Sequence, residues 1–184
     1  LLQTGSHRIT ALLGPGHVSA ITGSEPFQRI SQKYHLPCVI SGFAPDEILK
    51  SVLLLINQLN KGNYGTAIQY QAAVRPEGNH KARAMIGKYF TVKEALWRGL
   101  GMLPQSGLFL RDEYDDYNEN LNYEEKRGLE EENPGCYCKE ILRGMKKPVE
   151  CPSFASACAP DHPLGPCMAS FEGACHTAYI YCEG

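Results

Sequence analysis

The distribution of cysteine is the sequence feature that most limits how this chain can fold. Seven of its eight cysteines lie in the last 49 residues, at positions 136, 138, 151, 158, 167, 175 and 182. That segment is rich in Gly and Pro and poor in aliphatic side chains, so it lacks the apolar surface from which a small domain builds its core. We therefore expect its thiols to supply the missing cross-links, as disulfides or as metal ligands.

The spacing of these cysteines disfavours zinc and disulfides. Structural zinc sites usually pair ligands two to four residues apart, whereas one, twelve, six, eight, seven and six residues intervene here. A disulfide lattice suits an even count in a secreted chain, but the count is odd and LLQTGSHRIT predicts no secretory signal. An iron–sulfur cluster accepts thiolates at wide spacing. The residues alone favour a cluster and leave zinc and free thiols open.

The preceding part of the chain alternates predicted strands with predicted helices. The pattern predicts strands at 9–13, 38–41 and 66–74, and helices beginning near Ser24, Pro45 and Asn79. Met85 and Phe90 are expected on the buried side of the last helix. This order predicts an α/β fold, with a mainly parallel sheet flanked by helices and followed by a small Cys-rich iron–sulfur module. The predicted domains are an α/β domain at 1–110, an acidic connector at 111–134 and the Cys-rich module at 135–184.

Charge gives little indication of a macromolecular partner. Residues 111–133 contain ten acidic and three basic side chains, a composition typical of a solvated connector, with a docking surface for a basic partner as the alternative. The net charge of −2 gives no electrostatic reason to expect nucleic acid or an anionic membrane. No apolar run approaches the roughly 20 residues of a membrane span.

The first predicted strand ends in a candidate binding loop. Gly14, Pro15, Gly16 and His17 follow its apolar run, and ligands of open α/β sheets bind beyond the carboxyl ends of the strands. A tight turn with an ordinary hydrogen-bonded histidine is the alternative. Cys38 lies within an apolar strand, so we expect a buried, inert thiol.

Four segments of the chain carry a resemblance to a known family. They are GPGHVSAITG at 14–23, PCVISGFAP at 37–45, WRGLGMLPQSGLFLR at 97–111, and the stretch from NPGCYC to FEGAC at 133–175. In this order they resemble the HypD family of [NiFe]-hydrogenase maturation proteins. The resemblance implies an assembly scaffold with redox activity, rather than a turnover enzyme, that works on an Fe(CN)2CO precursor in the cytoplasm.

The resemblance also implies roles for the tail cysteines. In the family, four cysteines spaced Cys-x14-Cys-x6-Cys-x16-Cys hold a [4Fe–4S] cluster. This chain matches that pattern at Cys136, Cys151, Cys158 and Cys175. Cys138 and Cys167 are then implied to form a redox dithiol or disulfide beside the cluster. The residues alone would also allow Cys138 to replace Cys136 as a ligand, and Cys182 is expected to be a free thiol.

Two loops are implied to line the family's cleft. They comprise Gly14, Pro15, Gly16 and His17 in the first, and Gly42, Phe43, Ala44 and Pro45 in the second. Ala44 stands where the family pattern leads us to expect an acid, which weakens any charge-based role for the second loop. The implied partners are a HypC-like chaperone and a HypE-like cyanide donor.

Two motifs of the family do not occur in this sequence. The family is about twice as long, and its amino-terminal half carries Cys-Gly-Thr-His, whose cysteine resembles the attachment point of the iron precursor, and Gly-Pro-Gly-Cys-Pro-Val-Cys. We therefore expect a carboxy-terminal half, as a fragment or a split protein, that does not hold the precursor by itself. The alternative is a stand-alone α/β binding or redox domain with a structural zinc or iron–sulfur site.

Overall fold

The computed structural model describes Leu2 and residues 7–97, 100–118 and 135–181. The chain forms two compact units, one at Ile9–Tyr89 and the other made of Leu1–Arg8 and Phe90–Gly184. We call the first the sheet unit, and we call residues 135–181 of the second the cysteine module. The predicted boundaries at 110 and 134 stay predictions, and residues 119–134 of the acidic connector lie outside the described residues.

The sheet unit is built on three parallel strands with helices between them. Its elements are β1 Leu12–Pro15, α1 Gly16–Thr22, α2 Glu25–Tyr34, β2 Cys38–Ser41, α3 Pro45–Asn60, β3 Thr66–Ile68 and α4 His80–Tyr89. The strand order is β1-β2-β3, and Val39 is in register with Leu13 on one side and Ala67 on the other. The predicted α/β class with a parallel sheet and flanking helices is confirmed.

The core of the sheet unit lies on its central strand. Val39 and Ile40 have no exposed surface, and Leu36 and Val74 are buried with them. A strand covered on both faces is expected to be mainly apolar, and Cys38, Val39 and Ile40 of β2 fit this expectation. The longest helix, α3, begins at Pro45, where the amide of Ala44 donates to Glu47 Oε2 at 3.0 Å. It ends at Asn60.

The third strand is shorter than predicted, because the chain turns after Ile68. The amides of Gln69 and Tyr70 both donate to the carbonyl of Ile40, so the hydrogen-bond pattern between β2 and β3 does not continue beyond this point. The amide of Val74 then donates to the carbonyl of Tyr70 at 3.0 Å, which closes a helical turn where alternation predicted an extended strand. The prediction of a strand over 66–74 is wrong beyond Ile68.

The last helix of the sheet unit confirms its predicted beginning but not its predicted buried side. Asn79 Oδ1 accepts a hydrogen bond from the amide of Ala82 at 3.1 Å, as a helix cap does. Met85, however, is 53% exposed, and Phe90 is the first residue of a strand. The expectation that both would point inward from one helix is wrong.

The second unit contains an antiparallel hairpin and the cysteine module. Its elements are β4 Phe90–Trp97, β5 Gly101–Leu110, a 3-10 helix at Asp112–Tyr117, α5 Cys138–Leu142, a 3-10 helix at Pro148–Glu150, α6 Pro166–Ala169 and α7 Ala174–Tyr181. The hairpin was not predicted. Within the described residues, no helix is both long enough and apolar enough to cross a bilayer.

Candidate functional site

Six cysteines meet in the core of the cysteine module. They are Cys136, Cys138, Cys151, Cys158, Cys167 and Cys175. The side chain of Cys136 is half-buried and packs against the cluster that the other five form together with Ile141 and Met168. Cys138 is only 2% exposed, and Met168 not at all. Thiols thus occupy most of a core that would elsewhere be filled by aliphatic side chains.

Short elements bring these thiols together. Three cysteines lie on short helices, Cys138 on α5, Cys167 on α6 and Cys175 on α7. Cys151 follows a 3-10 helix, and the amide of Cys158 donates to the carbonyl of Ser153 at 2.8 Å in the next turn. Short helices joined by turns allow cysteines far apart in sequence to face one centre.

The Cys167 thiol interacts with two other thiols. Its interaction with Cys138 raises the pKa of Cys138 and lowers that of Cys167. The Cys167 thiol in turn donates to Cys175 Sγ at 3.2 Å. Cys167 is therefore the central member and contacts a neighbour on each side.

These contacts and burial raise the thiol pKa values. The pKa of Cys138 is raised above its usual range, first because of its interaction with Cys167 and then because the thiol is buried. For Cys167 the interaction with Cys138 lowers the pKa, but the hydrogen bond to Cys175 and burial outweigh it and raise the pKa to about 12. Burial also raises the pKa of Cys136. Without a metal, these groups are protonated thiols at neutral pH.

Cys136 is held on another side of the core by Gly165. A Cβ added at Gly165 would lie 2.6 Å from Cys136 Sγ and 3.9 Å from Cys167 Sγ. Only a glycine leaves room for the Cys136 sulfur at this approach. The backbone of Cys138 lowers the pKa of Cys136, but burial outweighs this effect.

Backbone groups contact two further sulfurs. The amide of Leu164 donates to Cys158 Sγ at 3.4 Å, and the Cys151 thiol donates to the carbonyl of Gly135 at 3.8 Å. Amide donors to cysteine sulfur are a recurrent second layer of iron–sulfur sites, where they help set the potential.

The two histidines of the module contact other groups. His176 Nδ1 donates to the carbonyl of Met168 at 3.0 Å, and its ring meets Phe171 edge-on at 5.1 Å. The exposed His162 lies with Nδ1 2.7 Å from a carboxylate oxygen of Asp161. His176 therefore orients α6 and α7 with respect to each other, whereas His162 belongs to the surface.

The residues of the module fit an iron–sulfur cluster in donor chemistry. Six soft sulfur donors share one core, and four thiolates are what such a cluster requires. As the side chains stand, no group of three or more His, Cys, Asp or Glu among the described residues could hold a metal ion. A cluster presents a separate iron to each thiolate, so its four ligands need not surround a single ion.

The two predicted cleft segments meet at the carboxyl edge of the parallel sheet. The ring centroids of His17 and Phe43 lie 5.2 Å apart, and both side chains are exposed. The first segment is not a separate loop, since β1 runs to Pro15 and α1 begins at Gly16. Of the other predicted residues, Gly14, Gly16 and Gly42 are buried, Pro15 is half-buried and Pro45 is exposed at the start of α3.

Close packing explains two of these glycines. A Cβ at Gly16 would lie 2.5 Å from the carbonyl oxygen of Ser41 and 2.6 Å from the Tyr70 ring. A Cβ at Gly42 would collide with the carboxylate of Glu47. Both glycines therefore bring the beginnings of helices close against the strand ends, which is a structural role at this edge.

The sequence did not reveal a polar network beneath this edge. The buried Ser51 hydroxyl donates to Ser41 Oγ at 2.8 Å, and Gln69 Oε1 accepts from the amide of Gly42 at 3.0 Å. A lone serine within the apolar run of α3 was the available signal, because a buried hydroxyl requires partners. Gln69 gave no such signal.

The remaining cysteines differ from the module's six. Cys38 has no exposed surface, and burial raises its pKa to about 11, so its thiol stays neutral and unreactive at physiological pH. Cys182 lies outside the described residues.

Comparisons with known proteins converge on one family. The model of the HypD family, described as the hydrogenase formation hypA family, matches residues 1–182. The hydrogenase expression/formation protein HupD of Azotobacter chroococcum mcd 1 is 42% identical over 182 residues, covering 97% of this chain and 48% of that protein. The hydrogenase maturation factors HypD of Azotobacter vinelandii and Rhizobium leguminosarum bv. viciae are 40% and 38% identical, again over 97% of this chain. The chain spans about half the length of the curated relatives it matches.

Proposed function

The chain belongs to the HypD family of hydrogenase formation proteins, and on this premise we propose that it serves hydrogenase maturation through a [4Fe–4S] cluster in its cysteine module. The family membership confirms the resemblance in the sequence. The observation that carries the proposal is the single thiol core, in which five cysteines are buried and a sixth packs against them. Aliphatic residues would fill an apolar core better than thiols do. Buried thiols in such number therefore indicate a role other than packing.

The proposed ligands are the four cysteines that match the family spacing. They are Cys136, Cys151, Cys158 and Cys175. Cys136 is chosen over Cys138 because it completes the family spacing, and its sulfur lies against Gly165. When bound, the cluster would supply one-electron transfer.

Cys138 and Cys167 are the proposed redox dithiol. Their interaction supports this role, since two thiols close enough to shift each other's pKa can form a disulfide after a small movement. Both are nearly fully buried. A large protein disulfide therefore cannot reach them in this arrangement, and electron exchange through the neighbouring cluster is the more accessible route.

The wider function depends on the part of the family's length that this chain does not span. We propose that the whole protein is a scaffold for assembly of an Fe(CN)2CO centre, its cargo, with a HypC-like chaperone and a HypE-like cyanide donor as partners. The sheet edge at His17 and Phe43, where the two cleft segments meet, is this chain's proposed contribution to the cleft. Reduced thiols in such number suit a cytoplasmic setting.

Anaerobic purification tests the proposal. We expect a brown protein with about four irons and four sulfides per chain. Cys136→Ser, Cys151→Ser, Cys158→Ser and Cys175→Ser should each lose the cluster, while Cys138→Ser and Cys167→Ser keep it. A colourless protein with about one zinc per chain would instead support a stand-alone domain with a structural metal. Iron loss in Cys138→Ser but not in Cys136→Ser would overturn the ligand choice.

A further inference from the structure

The two members of the Cys138–Cys167 pair do not have equal contacts. Cys138 contacts Cys167, but Cys167 also donates to Cys175 Sγ at 3.2 Å. Because Cys175 is a proposed cluster ligand, Cys167 is the member of the pair whose thiol proton points at a ligand sulfur. The spacing of the cysteines contains no trace of this asymmetry.

Among the other proposed ligands, the sulfur of Cys158 accepts a hydrogen bond from the backbone amide of Leu164 at 3.4 Å. Cys175 differs, since its sulfur accepts from a side chain. A backbone donor persists when a side chain is replaced, whereas the Cys167 thiol can be removed or altered without changing any ligand.

We propose that the Cys167 thiol tunes the reduction potential of the cluster by hydrogen-bonding to the ligand sulfur of Cys175, and that Cys138 has no direct part in this tuning. This inference rests on the proposed function. A hydrogen bond to a ligand sulfur stabilises the more electron-rich reduced cluster and so raises its potential. Cys167 is in this sense a positioning residue that acts through Cys175.

The redox state of the dithiol should change the potential of the cluster. Oxidation of the pair by a small-molecule disulfide joins the two sulfurs, gives two electrons and both thiol protons to that oxidant, and leaves Cys167 without a proton to donate. The cluster potential is then lower with the pair oxidised than with the pair reduced. By linkage, reduction of the cluster favours the dithiol form to the same extent.

The test compares potentials of the full chain loaded with its cluster. Redox titrations monitored by electron paramagnetic resonance should give Cys167→Ala a lower midpoint potential than the wild type. Cys138→Ala is the matched control, because it removes a buried thiol from the same pair and leaves the donor to Cys175 in place. Its potential should stay much nearer to that of the wild type.

Cys167→Ser distinguishes the effect of the hydrogen bond on the potential from the effect of the sulfur atom. Its hydroxyl keeps a hydrogen-bond donor, so we expect a potential at or above that of the wild type. If Cys167→Ala loads no iron, the potential of Cys167→Ser tests the proposed tuning instead. Equal potentials in Cys167→Ala and the wild type, an equal drop in Cys138→Ala, or a drop in Cys167→Ser would each overturn the inference. A wild-type chain that binds no cluster would instead overturn the proposed function.

Discussion

Cysteine is buried in both the sheet unit and the cysteine module, but the neighbouring residues differ. Cys38 lies on the central strand beside Val39 and Ile40, which have no exposed surface, and acts as a small apolar side chain. In the module, Cys138 and Cys167 are buried against other thiols, with few aliphatic neighbours. A chain can therefore use one residue type as packing material in one region and as a set of ligands in another, and the neighbours decide which.

The two regions also differ in how much apolar surface they use. In the sheet unit, α3 has more aliphatic side chains than the core takes up, and Leu49 and Leu53 are 70% and 58% exposed. The module has the opposite composition, since five of the seven buried residues of its core cluster are cysteines, and only Ile141 and Met168 are not. We therefore expect the sheet unit to be stable through burial, and the module through attachment of its thiols to metal.

Removal of iron should produce the largest difference in stability between the two regions. After anaerobic chelation, or in Cys158→Ala, we expect the amides of α5, α6 and α7 to lose protection from hydrogen exchange, because the thiols no longer share a cross-link. The amides of β2 should keep their protection. Hydrogen exchange followed by mass spectrometry measures both regions in one sample.

Cys38→Ala is the control for that experiment, since it removes an equally buried thiol outside the module. It should leave the iron content and the protection of the module unchanged. A module that stays protected without iron would show that its few apolar contacts suffice, and the comparison between the regions would fail.

Ile40→Ala perturbs the sheet unit instead of the module, and its effect should be the next largest. The side chain is fully buried, so its truncation should lower the free energy of unfolding of the sheet unit by about 2–5 kcal/mol. Iron per chain should not change. Denaturant unfolding followed by circular dichroism measures the first quantity, and iron analysis the second.

Leu49→Ala is the matched control for Ile40→Ala, because it truncates an aliphatic side chain that is 70% exposed. Its cost should stay within about 0.5 kcal/mol. Equal losses in the two variants would mean that the exposed side of α3 is covered in solution.

Gly165→Ala should have a smaller effect than iron removal or Ile40→Ala, and this effect should be confined to the module. The added methyl group would lie 2.6 Å from Cys136 Sγ, and relief of such overpacking typically costs about 1–3 kcal/mol. We expect reduced iron occupancy because one ligand is displaced, with the unfolding of the sheet unit unaffected. Iron and sulfide analysis after anaerobic reconstitution measures the change.

Gly87→Ala is the control, since a Cβ at that position meets no atom of another described residue within 4 Å outside its own helix. It should retain full iron occupancy. Full occupancy in Gly165→Ala as well would show that Cys136 can move freely, and would weaken its assignment as a ligand.

Local signals in the sequence were sufficient for some elements and not for others. The apolar run at 38–41 and the Pro-Asp-Glu beginning of α3 were found where predicted, since a buried strand and a helix beginning depend on neighbouring residues. The end of β3 was not predicted. It depends on two amides that share the carbonyl of Ile40, a residue on another strand.

The candidate site divides in the same way. The sequence by itself determined the residue types and the four-cysteine spacing, and the scarcity of aliphatic side chains indicated that thiols must organise the tail. Only the tertiary structure decided that Cys167 also meets Cys175, and that Gly165 faces Cys136. These residues lie on different short helices and turns, and a contact between them depends on how those elements pack, which no periodicity along the chain encodes.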